Sequence, residues 1–454
     1  MLNRFLFLKK QRSLFVSRLI GGGIWALGAK VATLILGIII GGLLARLLSK
    51  DEMGDYVFAQ SLVFSISLIA QLGLGSTAVK LVARFSTIND HDAVKKSIIH
   101  VLRLGLISAL IIATFFIVFG KYANISQNLL YIGAIWIIIL TIQKLLAEIL
   151  RGFHDIRAAA FIGGASLGGL ITYIITAGIL AIVWHFFGNI NLFNVFTLII
   201  VSGVLSLIWG GQYLFKILRS NKSKITQSRK VFAKQVLWMS LPVLVDSLML
   251  LLLSQSGIWV LRVFRTSPEV ALYGTALRLA ALTAVPLNVI HAITAPTIAE
   301  LFQKEQEKKL EFILRGLATL ATIPAVSTLL IFFVAGADIL GLIYGDFYRA
   351  GAPALIIMTV GSVASVAAGS CGQSLIMSGH QKSLMIASMV SGLLTLTIEL
   401  IVVQRYGILG VATAMAIGIL FKNGLMLIAN KYQTGIWTLV TFRWQNYIPL
   451  IKKL

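Results

Sequence analysis

YVFAQSLVFSISLIAQLGLGSTAVKLVARF (56–85) and YGTALRLAALTAVPLNVIHAITAPTIAELF (273–302) decide the fold. Each holds an apolar run of about the 20 residues that a helix needs to cross roughly 30 Å of hydrocarbon. Laid on each other without a gap, they match Tyr56 with Tyr273, Ala59 with Ala276 and Leu62 with Leu279, then Thr77, Ala78 and Phe85 with Thr294, Ala295 and Phe302. One membrane span recurs half a chain later, so the protein reads as a duplicated helical bundle in lipid.

Working outward, the chain offers twelve such runs. They fall near 22–48, 56–79, 98–120, 129–150, 158–187 and 193–215 in the first half, and near 236–261, 271–298, 312–334, 350–377, 383–403 and 408–430 in the second. Lys and Arg in alternate loops divide about 29 to 7, with Lys30, Arg278 and Lys422 inside spans. Positive charge collects on the cytoplasmic side, which predicts a multi-pass inner-membrane protein with both termini cytoplasmic. The polar stretch LRSNKSKITQSRKVFAK at 218–234 separates six spans from six. The expected fold is all-α and polytopic: a six-helix lobe at 1–217, a basic linker at 218–234, and a second lobe at 235–454. A parallel pseudo-twofold along the membrane normal would relate them, with substrate handled between lobes that rock in alternation.

Composition agrees. Hydrophobic residues make up 58% of the 454 and charged ones 12%, about half the charged share of a soluble domain. The net charge of +23 sits at the ends of apolar runs, where it faces anionic headgroups, so nucleic acid is not expected as a partner. One cysteine, Cys371, leaves no room for an intramolecular disulfide or a cysteine metal cluster. The N-terminal MLNRFLFLKKQRSLFVSRL has no small-residue cleavage site, so the first helix is expected to serve as an uncleaved signal. With no P-loop, no metal-spaced His and Cys and no nucleophile beside a base, the chain reads as a transporter needing no cofactor. The short loops count against a membrane-embedded sugar transferase or polymerase, the alternative of another class.

An ionisable group at span depth costs about 2.5–3.5 kcal/mol on insertion scales, so it marks a partner or a wet cavity. Lys30, in the first span, and Arg278, inside the eighth from its outer face, are the candidate cavity cations, and Arg46 at the outer end of the first span joins them. An arginine fork suits phosphate oxygens. Asp246, four residues after Pro242, is the deepest acid. With Glu399 and His291 it forms the set of candidate sites for a coupling H+ or Na+. Lys144 and Glu148 stand i, i+4 apart and are expected to pair on one helix face. Glu399 could equally be interfacial, and a lone membrane histidine such as His291 is more often a packed hydrogen-bond donor. Gln60, Gln71, Gln255, Asn288 and Gln373 suit either a polar cavity or bonds between helices.

The segments LLARLLSKDEMGDYVFAQSLVFSISLIAQLGLGSTAVKLVARF (43–85), VALYGTALRLAALTAVPLNVIHAITAPTIAELFQKEQEKKL (270–310) and GHQKSLMIASMVSGLLTLTIELIVVQRYGILGVATAMAIG (379–418) resemble bacterial polysaccharide transporters of the Wzx type. The resemblance implies the fold of the multidrug, oligosaccharidyl-lipid and polysaccharide exporter superfamily. It also implies an undecaprenyl-diphosphate-linked oligosaccharide, such as an O-antigen repeat unit, as substrate. A polysaccharide polymerase and chain-length machinery would be its protein partners. Lys30 and Arg278 would suit the diphosphate. Lipid II flippases of the superfamily usually carry fourteen spans and several arginines in the first two, unlike this chain. Cation-coupled multidrug exporters share the fold and would favour carboxylates in the cavity; they are the same-fold alternative.

Overall fold

A computed structural model describes residues 25, 28–88, 90–122, 127–163, 166–220 and 233–441. The N-terminal segment ahead of the first span, most of the predicted linker and the C-terminal end therefore lie outside the described residues. Fifteen helices and two 3-10 turns account for the elements of the described residues, with no strand among them.

Helices α1 (Gly28–Leu47), α2 (Lys50–Ala70), α3 (Leu74–Thr87), α4 (His91–Tyr122), α5 (Gln127–Gly152), α6 (Ile156–Ile162), α7 (Leu170–Phe186) and α8 (Leu192–Ser220) come from the first half. The second half gives α9 (Ala233–Phe264), α10 (Ser267–Ala280), α11 (Val285–Gln303), α12 (Glu307–Tyr344), α13 (Ala352–Ala368), α14 (Cys371–Met377) and α15 (Gln381–Thr434). Ten described helices are long and apolar enough to cross a membrane, and α7 is a shorter apolar one. α15 holds two of the predicted spans, joined where Gly407 takes φ 52°, a left-handed angle that an L side chain resists.

Four predicted spans are broken helices. The second becomes α2 and α3, the fifth α6 and α7, the eighth α10 and α11, and the tenth α13 and α14. Glycine, proline and serine at the breaks explain this, because each frees backbone groups that lipid cannot satisfy and a neighbour must. At the α13–α14 break the chain beyond α15 does so: Thr438 Oγ1 donates to Ala368 O at 2.8 Å and Val440 N to Ala367 O at 2.9 Å.

The chain forms two compact units. One comprises 1–36, 63–182 and 193–244, and the other 37–62, 183–192 and 245–454. The border thus runs through α1, α2, α7 and α9 instead of following the midpoint of the chain.

In the first unit α3, α4, α5 and α6 pack around Leu74, Val82, Phe85, Ile98, Leu145 and Ile162. Asp155 caps α6, accepting from Ala158 N at 3.0 Å, and takes the Tyr213 hydroxyl of α8 at 2.6 Å. In the second unit α13 lies against α10, α12 and α15.

The outward faces are apolar. Ile107, Ile111, Phe115 and Phe119 make an exposed stripe along α4 at four-residue spacing, and Leu330, Phe333 and Val334 are exposed on α12. Such surface is stable against acyl chains and not against water.

Candidate functional site

Each unit contains a cluster built around a cation. In the first, Lys144, Glu148 and Arg151 stand at i, i+4 and i+7 on α5, so they share one face of that helix. The expected pair of Lys144 with Glu148 does not form: Glu148 accepts from Arg151 Nη1 at 2.6 Å. Arg151 wins because its fork reaches one turn along the helix, while Glu148 lies against Gly75 at the start of α3.

Lys144 turns instead toward the second half of α2. Its Nζ sits 3.9 Å from the centre of the Phe64 ring and 3.4 Å from Ser67 Oγ. Ser67 is held in place, donating to Phe64 O at 2.7 Å, while its own carbonyl takes Gln71 Nε2 at 3.1 Å. Lys30 of α1 lies near enough to Arg151 for their charges to interact, so three basic side chains converge on this side of the unit. Beside α1 there is also a cavity of about 310 Å³ with Ala29, Ala32, Ala160 and Phe161 in its wall, where Arg157 lies over the Trp25 ring at 5.1 Å.

In the second unit Arg278 of α10 donates from Nη2 to Gln60 Oε1 of α2, and its guanidinium lies 5.5 Å from the Tyr56 ring. Gly41 of α1 leaves the space that Arg278 occupies: a Cβ there would come 2.7 Å from Nη1 and 3.1 Å from Tyr344 Cε1. Tyr344 and Tyr348 lie within range of the Arg278 charge, and their rings are 5.7 Å apart. Both are buried, and neither hydroxyl has a hydrogen-bond partner among the described residues.

The rest of α2's first half is tied down by polar contacts. Ser61 donates to Gln255 Oε1 at 2.6 Å and accepts from Trp259 Nε1 at 3.0 Å. Arg262 reaches Asp55 at 3.0 Å and Ser267 Oγ at 2.7 Å.

The other predicted residues fall as follows. Arg46 donates from Nη2 to Leu342 O at 2.6 Å, in the last turn of α12, with its guanidinium 5.9 Å from the Trp184 ring. That is helix C-terminal capping, and no contact joins it to Arg278. Glu399 is 1% exposed, which removes the interfacial reading. His291 is partly buried, and its carbonyl accepts from Gln373 Nε2 at 2.8 Å, while Thr294 donates to Gln373 Oε1 at 2.9 Å. The side chain of Asp246 lies outside the described residues. Lys30 belongs to the first unit, Arg278 and Arg46 to the second.

Lys144 was missed as a site residue because an acid at i+4 looked sufficient to satisfy it. The signal that could have found it is Arg151, a stronger competitor for the same acid.

A family model described as "Polysaccharide biosynthesis protein" matches residues 19–302. The probable low-salt glycan biosynthesis flippase Agl15 of Haloferax volcanii is 24% identical over 161 residues, 35% of this chain. The match spans about a third of that relative's length, 34%. Among solved structures, the inward-facing conformation of a multidrug resistance MATE family transporter of the MOP superfamily superposes with a TM-score of 0.66 at 16% identity, over 90% of this chain and 98% of that one. A MOP superfamily transporter from Pyrococcus furiosus, described as having a binding pocket of reverse polarity, gives 0.60 at 15% identity, over 92% and 95%. At such identities the likeness shows the fold alone, and that fold is the MOP exporter fold.

Proposed function

Because the chain belongs to the polysaccharide biosynthesis protein family, we propose that it carries a polyprenyl-diphosphate-linked oligosaccharide across the bacterial inner membrane by alternating access. In this reading undecaprenyl diphosphate is the carrier, both termini are cytoplasmic, and the glycan is delivered outside to a polymerase and its chain-length machinery.

One observation carries the proposal. At span depth each unit holds a cation whose partners are neutral: Lys144 has a ring and a hydroxyl, Arg278 a carboxamide and a ring. Among the described residues neither has a carboxylate at ion-pair distance. An uncompensated cation in a low-dielectric site is costly unless an anion visits it, and a diphosphate has the charge to do so. In this reading the prenyl chain stays in lipid. Lys30 and Arg151 extend the positive field in the first unit. An exporter of organic cations would need the opposite polarity at these two positions.

The test is flipping of a short-chain polyprenyl-diphosphate oligosaccharide in proteoliposomes. Lys144→Met with Arg278→Met should slow it by about tenfold or more, equivalent to about 1.4 kcal/mol. Wild-type rates in the double variant would overturn the proposal, as would export of an organic cation with no movement of the lipid-linked sugar.

A further inference from the structure

The cavity beside α1 lies wholly within the first unit, and the two cation clusters make no use of it. Its walls follow from sequence spacing. Trp25, Gly28, Ala29 and Ala32 stand at i, i+3, i+4 and i+7, and on α6 Arg157, Ala160 and Phe161 stand at i, i+3 and i+4, so each set shares one helix face. Each face begins with a residue suited to the membrane interface and continues with small or apolar ones.

At one end the Arg157 guanidinium lies 5.1 Å from the Trp25 ring. Beyond it the small side chains leave about 310 Å³, with Leu170 of α7 in the wall. A Cβ on Gly28 would meet nothing within 4 Å, so α1 does not fill the slot. The other wall is braced from behind: Phe161 packs on Trp209 of α8 at 6.1 Å, Trp209 stacks on Tyr213 at 5.4 Å, and the Tyr213 hydroxyl is tied to Asp155.

An arginine and a tryptophan at the end of a span are ordinary interfacial anchors, but an anchor needs no cavity. This one is walled mainly by carbon, so water finds too few polar partners to settle there. Across such a gap the lining side chains make no dispersion contacts with one another, and a hydrocarbon chain supplies them. The volume takes roughly ten groups of about 30 Å³, the size of a methylene.

The head of the slot is positive. Asp155, two residues from Arg157, is committed to Ala158 N and Tyr213, and among the described residues no carboxylate lies at ion-pair distance from Arg157. Lys30, next to Ala29 on α1, adds charge of the same sign. Residues 1–24 contain Arg4, Lys9, Lys10, Arg12 and Arg18 and no acid, which is the wrong sign for an occupant. A slot walled by glycine and alanine also suits a straight acyl chain better than a methyl-branched prenyl one.

We infer that this slot binds an anionic phospholipid, with one acyl chain between α1 and α6 and the phosphate against Arg157. Such a site goes beyond the transport reading and needs only the bilayer that the apolar spans already require.

The experiment is native mass spectrometry of the full chain in detergent with equimolar dioleoyl phosphatidylglycerol and dioleoyl phosphatidylcholine, paired with melting curves in each lipid. The wild type should retain phosphatidylglycerol at least fivefold over phosphatidylcholine and melt higher with it. Arg157→Gln, at an exposed side chain, should lose that preference. Gly28→Leu, whose side chain enters the slot, should lower phosphatidylglycerol retention at least fivefold while eluting as the wild type does. Arg103→Gln, at an exposed arginine on α4, should keep both retention and preference.

An unchanged preference in Arg157→Gln would overturn the site, and so would an equal loss in Arg103→Gln, which would mean diffuse attraction to a basic surface. Undiminished retention in Gly28→Leu would overturn the acyl slot. Displacement of phosphatidylglycerol by an equimolar short-chain polyprenyl diphosphate would assign the slot to the carrier lipid of the cargo and overturn the phospholipid as its occupant.

Discussion

Lys144 rests 3.9 Å above the ring of Phe64 and leaves Glu148, four residues along its own helix, to Arg151. A cation facing a ring and a hydroxyl has no carboxylate to balance it, whereas a salt-bridged one does. Lys144→Arg should therefore preserve much of the flipping rate, and Lys144→Met should lower it about tenfold with little change in thermal stability. Phe64→Leu removes a contact worth about 0.5–2 kcal/mol and should lower the rate severalfold; proteoliposome flipping measures all three.

Gly41 lets Arg278 lie across α1. Gly41→Val should push the guanidinium away from Tyr344 and weaken lipid-linked sugar binding severalfold, while Gly28→Ala, where a Cβ meets nothing within 4 Å, should be neutral or stabilising by up to about 1 kcal/mol. Binding isotherms and melting curves of the two variants in detergent separate the effects.

A Cβ on Gly54 would come 1.9 Å from the backbone oxygen of Ser267, with no flexible side chain to yield. Gly54→Ala should cost about 1–3 kcal/mol through overpacking. The nearby pair of Arg262 and Asp55, with side chains 37% and 39% exposed, should contribute no more than about 1 kcal/mol. A melting series in detergent should rank Gly54→Ala well below Asp55→Asn.

Arg46 is expected to act on the end of α12 and not on cargo. Arg46→Gln should lower the melting temperature, at about 0.5–2 kcal/mol for a lost charged hydrogen bond to helix carbonyls, and leave flipping per folded molecule unchanged. A selective loss of flipping would return Arg46 to the cavity cations.

Asp155 joins the α6 cap to the Tyr213 hydroxyl. Asp155→Ala should destabilise the first unit by about 1–2 kcal/mol, and Tyr213→Phe by less, since only one of the two bonds is lost. Hydrogen exchange at the start of α6 should report both.

The apolar runs alone determined the helical, membrane-spanning class. Length and hydropathy are local properties, and lipid leaves a chain of this composition little but helices to form. The candidate cations at Lys30 and Arg278 were legible for the same reason, since a charge inside an apolar run stands out without any knowledge of its neighbours. The breaks in four spans were only half legible: Pro286 and Gly369 are visible, but whether such a residue bends, caps or breaks a helix depends on who satisfies the freed backbone, as Thr438 does for Ala368. Partner choice was decided by tertiary structure altogether. Lys144 had an acid at helical spacing and took a ring from another helix. Arg46 looked like a cavity cation and caps a helix 296 residues away. Glu399 could have been interfacial and is sealed between α9, α10 and its own hairpin. Spacing along one helix limits which side chains can meet; packing between helices settles which of them do, because only there do desolvation and competing donors enter.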